Sequence, residues 1–454
     1  MEKDRINKIS RSDVFWNFGA TFLKIASSIL LLPAILKEFS SDLVAIWSIF
    51  SSIGILTNLL DFGFNSSFVR TVTYIFSGSN ELKTNGFQVV YETHKSINYG
   101  LLKGTIDAMR WFYSRVAFAL FLLLSAFGTI YILHVLKDYD SIKTEVIIAW
   151  AIFIINNTIT LYTLYYESLM QGRGYIRESK QIIIIAHLSY LILAYSLVLM
   201  KCGIISLVSA QVISVIIIRV FSNKIFFDSE LKEELSKAHI VPKKEIIKII
   251  YPNALKMGLT QLGSFLTSKS SIFLGSLYLS LNIIASYSIT MQIFSCVYSV
   301  ANIYMLTYIP KITQARIHRD ILSIKAIIKK SLCIAVFFYL ISTIFLCVFG
   351  PKFLEIIHSN TILLDTKAII IISVISFLEM NHAMAASILL TKNYVPFFKP
   401  SLYAGIITVI LLTIFLKYTD WGVWGIILAP GIAQVLYQNW KWPFEVYKDF
   451  RFNI

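Results

Sequence analysis

Charge is what this sequence lacks. Of its 454 residues, 15% are Asp, Glu, Lys or Arg, where a soluble protein carries about 25%. So little charged surface excludes an ordinary soluble domain. Cysteine is scarce as well. Cys202, Cys296, Cys333 and Cys347 all lie in or beside apolar segments, and no two form a CxxC pair. That excludes a disulfide framework and a thiolate metal site, and the four read as small core residues. The seven histidines are scattered without HExxH spacing, so neither a metal site nor a catalytic residue is assigned. What is abundant is apolar: 56% of the chain, with a mean hydropathy of +0.69. The apolar residues come in runs of about twenty, the length that crosses a bilayer core of about 30 Å as a helix. The first such run follows a charged N-terminus and is too long for a signal-peptide core, so it reads as a retained span. The chain reads as an all-α integral membrane protein.

Walking the sequence places twelve spans near 14–36, 43–68, 111–136, 145–170, 181–200, 203–222, 249–276, 282–308, 331–349, 364–390, 400–416 and 421–440. An even number puts both ends on one side. Thirty of the 41 Lys and Arg fall in the termini and in the loops 69–110, 171–180, 219–248, 309–330 and 391–399. Seven fall on the opposite side, and Lys24, Arg115, Lys256 and Lys269 lie within spans. By the positive-inside rule both termini are cytoplasmic, in what reads as the bacterial inner membrane. The net charge of +15 is then a topology signal with an attraction to anionic membrane lipids, not a nucleic-acid footprint. The opposite-side loops are short, which leaves no room there for a catalytic domain. The cytoplasmic loop 219–248 reads as an amphipathic connector lying on the surface.

The stretch "SLMQGRGYIRESK" from Ser168 is echoed by "SILLTKNYVPFFK" from Ser387. Arg173, Tyr175 and Lys180 match Lys392, Tyr394 and Lys399, 219 residues later. A second pair, "LVAIWSI" from Leu43 and "IIASYSI" from Ile283, opens the second and eighth spans. Both pairs sit at equivalent places in two six-span halves of the same orientation. Such a parallel repeat marks secondary transporters, with the substrate site between the halves. The expected domains are therefore 1–222, a six-helix bundle; 223–248, the connector; and 249–454, a second bundle. The repeated turn itself also fits a purely structural role, with Tyr and Lys anchoring helix ends at the interface.

Two six-span bundles, the span-two ending "NLLDFGFNSSFVR", the turn "QGRGYIRESK" and the entry "IASYSI" resemble the polysaccharide transporter family. These are Wzx-like flippases within the multidrug/oligosaccharidyl-lipid/polysaccharide (MOP) superfamily. The resemblance covers nearly the whole chain on short motifs. It implies a MATE-like fold with an alternating-access cavity between the bundles. It also implies a polyprenyl-pyrophosphate-linked oligosaccharide moved from the cytoplasmic to the outer leaflet for O-antigen, capsule or exopolysaccharide export. A polysaccharide polymerase machinery is the implied partner.

Ionisable groups inside hydrocarbon cost about 2.5–3.5 kcal/mol on insertion scales, so each asks for a reason. Lys24 and Asp61 reach similar depths on consecutive spans and read either as a salt bridge or as a headgroup site, Lys24 binding pyrophosphate with Asp61 orienting it or exchanging a proton. Related lipid II flippases, which place a cation on the first helix and an acid on the second, favour the latter. Lys256 and Lys269 share span seven about 220° apart on an ideal helix, so they face one lumen together only if Gly258 and Gly263 loosen it. Glu379 and His382, one turn apart, read as a coupling site for H⁺ or Na⁺ or as a packing hydrogen bond. No other cofactor is expected. Glu167 reads as an interfacial acid facing Arg173, and Arg115 as snorkelling. Asn156, Asn157, Gln261, Gln292 and Asn302 read either as sugar hydrogen-bonding groups or, more readily, as interhelical glue. Two other functions compete. A cation-coupled multidrug antiporter of the same superfamily wants an acidic cavity, whereas the in-span tally is four bases to three acids. A membrane polysaccharide polymerase wants a sizeable catalytic loop.

Overall fold

A computed structural model describes residues 11–78, 97–317, 320–390 and 396–451. Among them there are fifteen helices and no strand. In chain order these are α1 Arg11–Glu38, α2 Ser41–Leu59, α3 Phe64–Phe76, α4 Tyr99–Val135, α5 Asp140–Gly172, α6 Ile176–Leu199, α7 Gly203–Phe226 and α8 Ser229–Lys237. They continue as α9 Lys243–Tyr278, α10 Leu281–Ile317, α11 Ile321–Ile356, α12 Thr366–Leu390, α13 Phe398–Tyr418, α14 Val423–Val435 and α15 Gln438–Arg451. Eight of them, α4 to α7 and α10 to α13, are long and apolar enough to cross a membrane. The helices group into two compact units: Met1–Ala34 with Ile53–Gly258, and Ile35–Ser52 with Leu259–Ile454.

Three local expectations are corrected. The second span is not one helix: it breaks at residues 60–63, where Phe62 and Gly63 take positive φ of 48° and 73°. Gly63 adopts this without steric cost. The loop 309–330 is mostly helix. α10 runs to Ile317 and α11 starts at Ile321, because the Lys, Arg and Gln that end the hydrophobic run are themselves good helix formers. α9, α10 and α11 have 36, 37 and 36 residues, about 54 Å each and well beyond a bilayer core. Finally, Gly258 and Gly263 do not loosen α9. They let backbone approach closely. A Cβ on Gly258 would stand 2.8 Å from the Phe62 Cα, and one on Gly263 2.5 Å from the Leu402 N.

In the first unit, Arg173 is the hub of the turn that the repeat singles out. It is 7% exposed, donates to the Phe226 carbonyl at 2.7 Å and pairs with Asp228 at 2.9 Å. Its guanidinium also lies over the rings of Tyr175, Phe76 and Phe226. Asp228 in turn caps α8 by accepting from the Leu231 N at 2.8 Å. Arg173 therefore ties the end of α7 and the start of the connector helix to the α5–α6 turn. Glu167 does not face it; Glu167 accepts from the Gln171 amide at 2.8 Å instead. Lys392 and Tyr394, in the second copy of the turn, lie outside the described residues. α5 is held to α7 by an Asn156–Gln211 hydrogen bond of 3.4 Å, the interhelical glue expected of Asn156.

In the second unit, α9 and α13 cross at Gly263 and Gly405, where the Ser401 hydroxyl donates to the Thr260 carbonyl at 3.1 Å. The end of α1 and the start of α2 are clasped by Asn360. Its amide donates to the carbonyls of Lys37 and Phe39, both at 2.9 Å, and its N–H to that of Leu36 at 2.8 Å. Ser41 closes the clasp by donating to the Asn360 carbonyl.

Candidate functional site

The α2–α3 break positions the first cluster. Asp61 sits in that turn, 7% exposed, and both carboxylate oxygens accept from the Asn65 N at 3.0 Å. The Tyr113 hydroxyl, fully buried on α4, donates to the same carboxylate at 2.6 Å. Ser168 on α5 donates to the Asn65 side chain, and Glu167 lies within reach of the Asp61 charge. Asp61 is thus a helix-starting acid with a buried phenol partner rather than a mid-helix charge. The Lys24 side chain lies outside the described residues, as does that of Lys256.

The second cluster lies wholly in the second unit. A cavity of about 40 Å³ has a polar side made by Glu379 and Ser376 from α12, Thr267 and Ser268 from α9, Tyr287 from α10 and Gln434 from α14, and an apolar side made by Met291, Ile372, Ile375, Ile427 and Pro430. The Gln434 amide engages the Glu379 carboxylate, and Lys269 lies within range of its charge. No Lys269–Glu379 salt bridge closes within 4.0 Å. Tyr287, Tyr298 and Tyr339 also lie within reach of that charge. The Gln434 Oε1 is buried without a hydrogen-bond partner among the described residues. Carboxylate, hydroxyl and amide oxygens around a space this size suit a water or a hard cation, for which about 10–15 Å³ of such volume suffices. His382 does not join Glu379; its Nδ1 pairs with the Asn439 Oδ1 at 2.8 Å. One turn along a helix puts two side chains near one another, but α15 offers His382 a closer partner.

Of the six residues singled out from sequence, the structure puts Lys269 within range of the Glu379 charge, pairs His382 with Asn439 and gives Asp61 the Tyr113 hydroxyl, while the side chains of Lys24 and Lys256 lie outside the described residues. Sequence reasoning missed Gln434 and Tyr113. Gln434, in "APGIAQVLY", carries the same signal as the other polar in-span residues. Tyr113 carries none, since tyrosine is common near membrane interfaces. Among the described residues no group of three or more His, Cys, Asp or Glu is disposed to hold a metal ion.

No protein-family model matches the sequence, and no curated protein matches it either. Solved structures do share its fold. An inward-facing multidrug resistance MATE family transporter of the MOP superfamily superposes with a TM-score of 0.70 at 13% identity, covering 96% of both chains. The lipid II flippase MurJ, in an inward closed conformation, superposes with a TM-score of 0.64 at 17% identity, covering 97% of this chain and 89% of its own. A VcmN MATE transporter mutant from Vibrio cholerae gives 0.57 at 11% identity over 99% and 97%. Identities this low speak for the fold alone. This chain has the multi-helix membrane fold of MOP-superfamily transporters.

Proposed function

We propose that this chain, built on a fold that serves both drug transporters and a lipid flippase, moves a polyprenyl-pyrophosphate-linked oligosaccharide from the cytoplasmic to the outer leaflet by alternating access. It is a transporter rather than an enzyme, set in the inner membrane with both termini in the cytoplasm. It hands its glycan to a polysaccharide polymerase machinery. The observation that carries this reading is positive charge placed within apolar spans. Lys24, Lys256 and Lys269 stand in runs where a cation is costly, and a pyrophosphate repays that cost. Lys24, with Asp61 to orient it, and the span-seven lysines are the proposed headgroup contacts. Deleting the gene should block surface polysaccharide and leave lipid-linked glycan on the cytoplasmic leaflet. Normal surface glycan in a strain also lacking any paralogue would refute it.

Transport against a gradient needs a driving ion, and Glu379 with Gln434 is its proposed site, for H⁺ or Na⁺. Glu379→Gln should lower transport about tenfold or more, the scale of losing one charge-assisted ion contact, while leaving insertion unchanged. Full activity of that variant would remove the site from the mechanism.

The acidic cavity at Glu379, part polar and part apolar, favours a second reading, a cation-coupled multidrug antiporter. Ethidium efflux that depends on Glu379, with surface glycan unaffected, would establish it instead.

A further inference from the structure

A groove of about 990 Å³ opens in the first unit where α9 begins, and none of the residues of either cluster lines it. Its wall carries Lys243, Lys244 and Lys248, with Glu245 as the single acid. None of these lysines forms a salt bridge within 4.0 Å among the described residues, and all three are exposed. Two of them stand in the first turn of a long helix, where the peptide dipoles disfavour positive charge. Three lysines crowded into six positions also repel one another. Such an arrangement is stabilised when an anion occupies it.

The remaining surface of the groove is apolar and aromatic. Ile247 and Ile249 supply aliphatic wall, and Trp111 from α4 and Tyr251 from α9 add aromatic rings. Arg115 stacks on the Trp111 ring at 4.4 Å, and the Lys243 ammonium lies 6.0 Å from the same ring. Next along α4, Phe112 stacks on Phe64 at 3.9 Å, and Phe64 also contacts Tyr251. The face of the tryptophan is therefore covered by cations. The volume is that of a ligand pocket, which runs to about 300–1,000 Å³. Lysines that merely obey the positive-inside rule need only scatter along an interface. These converge on one concavity that offers cations for a phosphate and an apolar wall for a chain.

We propose that this groove is a docking site for the pyrophosphate lipid before it enters the transport pathway. Lys243, Lys244 and Lys248 hold the pyrophosphate, and the first isoprene units lie against Trp111, Ile247 and Ile249. The site rests on the flippase function proposed above and adds a loading step on the side to which the basic loops assign the cytoplasm. Each ammonium donates N–H groups to phosphate oxygens as a point charge, so Lys and Arg serve there alike, whereas a neutral amide does not.

The test uses the full-length purified chain and farnesyl pyrophosphate as the probe, with farnesol, inorganic pyrophosphate and phosphatidylcholine vesicles containing phosphatidylglycerol as comparisons. The variant with Lys243→Gln, Lys244→Gln and Lys248→Gln should bind farnesyl pyrophosphate about tenfold or more weakly, as loss of several charge-assisted contacts requires. The triple Lys→Arg variant should bind as the unmodified chain does, and its Tm shows whether the substitutions are tolerated. Farnesol binding should be unchanged by either. Equal binding by the Lys→Gln variant overturns the proposal. So does competition by inorganic pyrophosphate as effective as that by farnesyl pyrophosphate, which would make this a free-anion site. A loss seen only with phosphatidylglycerol vesicles overturns it as well, by assigning the groove to bulk anionic lipid. If the unmodified chain prefers farnesyl pyrophosphate no more than farnesol, the flippase function itself fails. If it does prefer it and the Lys→Gln variant matches it, only the groove fails.

Discussion

Replacing Gly263 by alanine adds a single methyl group, and its effect follows from the α9–α13 crossing. A Cβ there would stand 2.5 Å from both the Leu402 N and the Ser401 O, where ordinary contact begins at 3.4 Å. The shortfall is about 1 Å, and the obstructing atoms are backbone, which cannot rotate away as a side chain would. The two helices must separate. That stretches the Ser401–Thr260 hydrogen bond of 3.1 Å and the Ser264–Ser401 contact of 3.3 Å. Overpacking of this kind costs about 1–3 kcal/mol, and interhelical hydrogen bonds in membranes add about 0.6 kcal/mol each. A destabilisation of about 2–4 kcal/mol is expected. Gly54→Ala is the matched control. Among the described residues its Cβ would meet only the Asn157 Oδ1 at 3.8 Å and the Phe153 Cζ at 3.9 Å. There, in mid-helix, alanine should stabilise by about 0.5–1 kcal/mol through helix propensity alone. The assay is thermal unfolding of both purified variants in one detergent. A Gly263→Ala protein as stable as the Gly54→Ala protein would refute the close crossing.

Tyr113→Phe removes the hydroxyl that donates to Asp61 and should lower stability by about 1–3 kcal/mol, the cost of a buried acceptor losing its partner; an unchanged Tm would show that Asp61 needs no phenol. Arg173→Ala should cost about 2 kcal/mol, a buried-pair loss discounted because Asp228 is 40% exposed on its side chain. Limited proteolysis should then cut within Ser229–Lys237, and resistance equal to the unmodified chain would argue against the hub. Asn360→Ala removes the amide donors to Lys37 and Phe39 and should speed hydrogen exchange at residues 37–41; equal exchange would mean the clasp holds without it. Single cysteines at Ser236 and Ser323 should resist labelling from outside intact cells, while one at Ser359 should react; labelling at Ser236 or Ser323 would invert the topology.

Much of this molecule is legible in its sequence, because burial in a membrane imposes its own grammar. Apolar runs of a fixed length mark helices, since every backbone polar group must be satisfied within its own segment. The all-α class and the MOP-type fold follow from that grammar and from a few short motifs. The repeated turn picks out Arg173. The cost of charge within apolar runs picks out Lys269 and Glu379. What the pattern hides are the helix ends. Lys, Arg and Gln mark the edge of hydrocarbon, not the edge of a helix, so α9, α10 and α11 run well past the apolar stretch that announces them.

Partners are the other hidden quantity, and here only tertiary structure decided. Sequence spacing puts His382 one turn from Glu379, yet a hydrogen bond goes to whichever group packing brings closest, and that is Asn439 on α15. Tyr113 is 52 residues from Asp61, and Gln434 is 55 from Glu379. No local periodicity links such pairs. The glycines make the same point. Sequence alone allows Gly258 and Gly263 to loosen a helix, because glycine's conformational freedom is a property of the isolated residue. In the folded chain another backbone occupies the space beside each of them, so what each contributes is the absence of a side chain. By itself the sequence determined that the chain is helical, which polar residues are costly and where positive charge accumulates, since those depend on each residue and its near neighbours. Which buried groups meet depends on how helices cross, and that is set by shape complementarity between segments far apart in the chain.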